Sequence, residues 1–296
     1  MEEAPRHWAA LPQIKIVPAT LHKTTVVIGG IPIDLETGNP AFMPVLESRY
    51  RGFLNGASGP RLMDAKLESV RLELETVEGL EGDPDAELVV KREGKIWHLQ
   101  LCDLRAEWDH STGRGKVWQT VNPYSMDTVL RILHSLLLAE REGFLLHAAS
   151  VIVGNRAFVC CGVSGAGKTT ISRLAPATAT VLTDEISYLK MEEGEFRAWG
   201  TPFNREMNMP GPNLSSPVAG VFLLYKGPEN AVEEMGPDEA VCSILRNVLF
   251  FADDPELAGR VLETVCQLVE KVPVRRLIFR PDSSVWDYVA SLDAVA

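Results

Sequence analysis

Residues 162–170 read GVSGAGKTT, and no other stretch narrows the folds open to this chain as much. The run fits the pattern G-x-x-x-x-G-K-[ST], with Gly162, Gly167, Lys168 and Thr169 at the fixed positions. A loop of this kind needs a strand to launch it and a helix to receive it. The sequence supplies AFVCC before it, an apolar strand, and TTISRLA after it, an amphipathic turn or two of helix. Glycines reach backbone conformations closed to other residues. The amides of Gly162, Val163, Ser164, Gly165, Ala166, Gly167, Lys168, Thr169 and Thr170 can therefore converge on phosphate oxygens as an anion nest. A helix starting near Gly167 adds the positive end of its dipole. Lys168 offers a mobile cation for terminal phosphates, and the Thr169 hydroxyl is a hard ligand suited to Mg²⁺. These nine residues, with Arg205 further along the chain, are the predicted nucleotide-binding set.

The flanks add candidates. Asp184 and Glu185 end the short strand VLT, 16 positions after Lys168, which leaves one helix between loop and acids. A carboxylate at a strand end facing the loop can hold Mg²⁺, and one beside it can take a proton from an attacking hydroxyl. Thr169, Asp184 and Glu185 are the expected metal ligands. His147, in LLHAAS, lies on the strand of the hairpin that enters the loop, within reach of phosphates or acids. GTPFNRE at 200–206 is a weaker signal, in which Arg205 could reach a transferred phosphoryl group as an internal arginine finger. Arg275, Arg276 and Arg280 lie in or beside a late strand, and surface ion pairs are expected for at least one of them.

The rest of the chain reads as two halves joined by a helix. Residues 1–122 are β-rich: a hairpin at 21–35 with a Gly29–Gly30 turn, a helix within 41–54, and strands at 70–76, 88–92, 96–101, 104–109 and 116–121. These suggest a twisted antiparallel sheet with one helix against it, and an acidic loop at 77–86. A helix over 126–138, capped by Ser125, fills the connecting segment 123–142 and reads as a hinge. Residues 143–296 hold the glycine-rich loop, strands at 144–153, 157–161, 181–183, 186–191, 195–199, 218–225 and 274–280, and helices at 238–251, 255–272 and 283–292. The predicted class is mixed α/β.

The net charge of −11 is spread over both halves without a basic run, which speaks against nucleic acid and anionic membrane as partners. Five cysteines form no C-x-x-C pair, so neither a disulfide framework nor a zinc site is expected. The first residues, MEEAPRHWAALPQ, lack the apolar run of a signal peptide, and a cytoplasmic protein is predicted.

The arrangement LLHAASVIVGNRAFVCCGVSGAGKTT followed by VLTDE resembles the kinase domain of the HPr kinase/phosphorylase family, which is related in fold to phosphoenolpyruvate carboxykinase. The likeness covers about residues 143–296. It implies a P-loop kinase fold for that half, and the β-rich N-terminal half is a candidate for recognising the acceptor. It also implies catalytic roles for His147, Lys168, Asp184 and Glu185, with ATP and Mg²⁺ as cofactors. Thr170 stands where the HPr kinases carry a glutamate, and Asp-Glu stands where they carry two aspartates.

The expected activity is transfer of the γ-phosphoryl group of ATP to a hydroxyl on a peptide, a protein or a small molecule. Two alternatives stay open: an ATP-binding regulatory or assembly module without transfer, and a simple ATPase. The sequence does not apportion roles between Asp184 and Glu185, and it leaves the oligomeric state open, a homo-oligomer included.

Overall fold

Strict alternation of buried and half-buried residues builds the first hairpin, β1 (His22–Ile28) and β2 (Ile31–Thr37). Gly29 and Gly30 turn it with φ of 58° and 76°, the double left-handed turn that matches strand twist. The computed structural model of the chain describes residues 20–54, 70–77, 87–203 and 211–293. The predicted acidic loop lies, beyond Val77, outside the described residues.

Helix α1 (Phe42–Arg49) is shorter than expected and ends in a 3-10 turn, Arg51–Phe53. β3 (Val70–Thr76), β4 (Val89–Glu93), β5 (Ile96–Leu101), β6 (Leu104–Asp109) and β7 (Arg114–Gln119) complete a seven-stranded sheet in the order β1-β2-β3-β7-β6-β5-β4. The sheet is mixed, which corrects the antiparallel expectation: β2 pairs parallel to β3, and β3 parallel to β7. Parallel pairs need long connections. Residues 38–69, including α1, supply the first, and the meander β4–β6 supplies the second.

Helix α2 (Pro123–Ala139) follows, with 13 of its 17 residues buried. Its cap is Asn122, whose side chain accepts from the Tyr124 and Ser125 amides, so the predicted Ser125 cap moves three residues back. Pro123 at the first helical position needs no amide partner. Buried Asp127 is satisfied by the Tyr50 hydroxyl at 2.7 Å and by the Arg49 guanidinium at 2.5 Å, which ties α1 to α2. Breaking such a pair from one side leaves an uncompensated buried charge, at about 3–5 kcal/mol.

The second half contains β8 (Gly143–Val153), β9 (Arg156–Cys161), α3 (Lys168–Arg173), β10 (Thr180–Thr183), β11 (Ile186–Glu192), β12 (Glu195–Trp199) and β13 (Ser215–Lys226). β14 (Ala231–Glu234), α4 (Pro237–Leu245), β15 (Val248–Leu249), α5 (Pro255–Lys271), β16 (Val274–Phe279) and α6 (Ser284–Asp293) complete it. The helix expected over 238–251 stops at Leu245, because Val248 and Leu249 leave it to pair with Leu146 and Leu145 of β8. β14 has no counterpart in the sequence reading. The strands form a nine-stranded sheet in which β13 runs parallel to both β9 and β16. The fold is thus mixed α/β with two sheets.

One cluster of buried side chains runs from the first sheet through α2 into the second, including Leu72, Leu133, Leu146, Tyr188 and Leu268. A second cluster, with Phe158, Ile171, Phe222, Phe279 and Trp286, packs behind α3. Among the described residues, no helix is long and apolar enough to cross a membrane.

His134 of α2 is fully buried and meets the Tyr188 ring edge-on at 5.6 Å between centroids. Burial, reinforced by the nearby Arg141 cation, pushes its pKa down to about 3. The unfolded chain, with an ordinary histidine near pH 6.5, binds the proton first. Stability is therefore full above about pH 6.5 and is lost as pH falls towards 3. Comparing the wild type with His134→Leu by urea unfolding, the wild type should lose about 2 kcal/mol more between pH 7.5 and pH 5. Equal losses would place the titration elsewhere.

Candidate functional site

Hairpin β8–β9 delivers the glycine-rich loop. β9 ends at Cys161, the loop occupies 162–167, and α3 begins at Lys168. Gly162, Gly165 and Gly167 all have positive φ, at 153°, 80° and 114°. Gly167 admits no other residue. Besides its φ, a β-carbon there would stand 2.6 Å from the Phe279 ring at the end of β16. The Trp286 indole N–H of α6 donates to the Ile171 carbonyl at 2.9 Å, so α6 holds α3 from behind. α3 has only six residues, so its dipole adds little beyond its first turn, and Lys168 and Lys226 are the full positive charges lining the space beside it.

The acid pair occupies the turn between β10 and β11, which both pair with β8. The Thr183 hydroxyl accepts from the Glu185 amide at 3.2 Å and the Ile186 amide at 3.1 Å, fixing that turn. The Glu185 carbonyl accepts from the Ala148 amide at 3.1 Å. His147 sits on β8 opposite Ile186. Sequence separation thus becomes adjacency across β8.

These residues converge. A cavity of about 260 Å³ is lined by His147, Ser164, Gly165, Gly167, Lys168, Thr169, Thr170, Asp184, Glu185 and Lys226. Asp184 is 5% exposed and Glu185 half-buried. The Lys168 ammonium donates to the Gly162 carbonyl at 2.8 Å and to that of Val163 at 3.4 Å. Burial lowers its pKa, while Cys161 and the Glu185 carboxylate pull the other way. Burial also pushes the Cys161 thiol up to about 12, so it stays neutral at physiological pH. All five cysteines are free thiols.

Of the predicted site residues, His147, Ser164, Gly165, Gly167, Lys168, Thr169, Thr170, Asp184 and Glu185 share this one cavity. Gly162, Val163 and Ala166 line a second cavity of about 580 Å³ on the other side of the loop. Arg205 lies outside the described residues. Arg275 pairs with Glu234, Arg276 with Glu233 and Glu239, and Arg280 with Asp282, all exposed carboxylates, as expected of surface cations.

Sequence reasoning missed Lys226, which lines both cavities, and Arg246 in the second. A signal existed for Lys226. It closes the apolar run VFLLYK of β13, and parallel strands present their carboxyl ends at the same edge as the loop after β9. Arg246 carries no such local mark.

Asp184, Glu185 and Thr169 offer oxygen donors to the cavity, a chemistry that fits Mg²⁺, an ion that keeps waters and takes phosphate oxygens as further ligands. Among the described residues, no group of three or more His, Cys, Asp and Glu forms a self-sufficient metal cage.

The molecule is therefore a two-sheet α/β protein in which a glycine-rich loop and paired acids line one cavity. Its family is given by comparison with known proteins: the model described as "SynChlorMet cassette protein ScmC" matches residues 115–291, and the chain belongs to that family. The match begins in β7 and takes in α2 and nearly all of the second half. This corrects the resemblance to HPr kinase/phosphorylase, since the family matched is a different one. No curated protein matches the chain.

Gly167→Ala tests the loop's construction. Left-handed strain alone costs about 1–3 kcal/mol, and the Phe279 contact adds to it. Urea unfolding should show at least that loss. A variant as stable as the wild type would mean that the loop and β16 are not packed in this way.

Proposed function

We propose that the chain is a P-loop phosphotransferase that binds Mg-ATP in the 260 Å³ cavity and passes the γ-phosphoryl group to a hydroxyl. A single observation carries this reading: loop amides, Lys168, Thr169 and both carboxylates line one space although they come from three separate elements. In this reading the second half has a P-loop kinase fold.

Each residue then has a task. The loop amides grip the phosphate tail. Lys168, now resting on the Gly162 and Val163 carbonyls, swings to the β and γ phosphates. Its depressed pKa still leaves it cationic when anionic phosphates arrive, because they favour the charged form. Thr169, Asp184 and Glu185 would hold Mg²⁺, which neutralises charge on the phosphate oxygens. The acceptor oxygen forms a bond to the γ-phosphorus as the bond to the bridging oxygen of ADP breaks. The proton of that hydroxyl passes to a carboxylate of the acid pair. His147 lines both cavities and orients the group in flight. Most of the acceleration comes from positioning and electrostatics.

Labelled ATP provides the test. Lys168→Ala should abolish transfer and weaken ATP binding. Asp184→Asn and Glu185→Gln, assayed at saturating Mg-ATP, should between them include a fall of roughly a hundredfold, the size of lost general base catalysis. His147→Ala should lower turnover with little change in ATP affinity. Tight ATP binding with neither labelled product nor released phosphate would support a binding module instead. Phosphate release without an acceptor would support an ATPase.

A further inference from the structure

The second cavity differs from the first in charge. The first has both carboxylates in its wall, whereas the second, at about 580 Å³, has no acidic residue among His147, the loop residues 162–166, Leu223–Lys226, Ser243, Arg246 and Asn247. Its cations are Lys226, which it shares with the first, and Arg246, which it does not. Lys226 and Arg246 are exposed, and neither makes an ion pair or side-chain hydrogen bond among the described residues. In a chain of net charge −11, where neighbouring Arg275, Arg276 and Arg280 are all matched to carboxylates, two unmatched cations on one wall mark a place for an anion.

Their placement is built into the sheet. The Asn247 carbonyl accepts from the His147 amide at 2.7 Å, and Val248 pairs with Leu146, so the turn carrying Arg246 is fastened to β8 beside His147. Lys226 ends β13, next to Gly227, whose amide donates to the Phe279 carbonyl at 3.0 Å. The cavity volume lies within the range of ligand pockets, roughly 300–1,000 Å³. At its rim, Val163 is 79% exposed and Tyr225 52% exposed.

We propose that this cavity is the acceptor pocket, and that the acceptor is a peptide segment with an acidic group close to the hydroxyl that is phosphorylated. The inference rests on the phosphotransferase reading. A nucleotide held by Thr169 and the α3 amides fills the first cavity, which leaves the second for the other substrate, with His147, Ser164 and Gly165 as the shared wall. Arg246 and Lys226 receive the acid, which places the hydroxyl over the loop. Val163 and Tyr225 give a peptide apolar contact that a small hydroxy acid does not need. The acidic group is a carboxylate or a phosphate, and both match a guanidinium and an ammonium.

The test is direct binding to the full chain in saturating Mg-ADP. Three short labelled peptides share a central serine, flanked by glutamates, by glutamines, or by phosphoserine. Either acidic peptide should bind at least tenfold tighter than the glutamine peptide, and the tighter of the two identifies the anion. Arg246→Met should erase the contrast while Mg-ADP affinity, measured separately, stays within twofold. Equal binding of all three, binding of none, or a contrast that survives in Arg246→Met overturns the proposal. So does a loss of Mg-ADP affinity in that variant, which would put the nucleotide in the wider cavity. Wild-type chain that discriminates among the peptides but binds no nucleotide would sink the phosphotransferase reading and leave the anion pocket standing.

Discussion

The site depends on β8 being hydrogen-bonded along both edges. Its first half lies between β11 and β15, and its second half between β10 and β9. Four segments of distant sequence therefore meet on one strand. β9 brings the glycine-rich loop, the β10–β11 turn brings the acids, and the stretch before β15 brings Arg246. Buried amides and carbonyls must be paired, so none of these neighbours can drift without opening a ladder. The strand that carries His147 thus also sets the distance between an anion nest and a pair of carboxylates.

His147 of the same strand lines two cavities of different charge. One is lined by two carboxylates and a threonine hydroxyl together with Lys168 and Lys226. The other is larger and has Lys226 and Arg246 but no acid in its lining. In a chain with an excess of acids that contrast is local, and it comes from Asp184 and Glu185 lining one cavity and Arg246 the other.

Local chemistry was legible in the sequence. GVSGAGKTT demanded left-handed glycines, and three have them; Gly29–Gly30 demanded a hairpin turn, and it is there. Strand limits in both halves came close because alternation is a property of a few residues at a time. What failed depended on distant contacts. The parallel pairing of β2, β3 and β7 is set by connections, which leave no pattern in the strands themselves. The helix expected over 238–251 had the right periodicity to Leu245, and only the free edge of β8 draws Val248 and Leu249 out of it. Lys226 was readable only by someone who knew that β13 runs parallel to β9, and Arg246 only by someone who knew where β15 pairs.

That division also explains how a resemblance to HPr kinases could arise and still mislead about family. It rested on a histidine on a strand, a hairpin, a glycine loop and an acid pair after one helix. Those are the parts any chain needs to place carboxylates against a phosphate cradle, so geometry alone can return them in more than one lineage. The family match extends well beyond those parts, taking in α2 with its buried face and α6, whose Trp286 is fastened to α3. α2, the glycine-rich loop and most of α6 lie within residues 115–291, the span matched by the ScmC model. The departures at Thr170 and Glu185 fall inside the short pattern, where a shared chemical demand tolerates substitution. A motif in this chain therefore speaks to what the site can hold, and the packing around it to where the chain belongs.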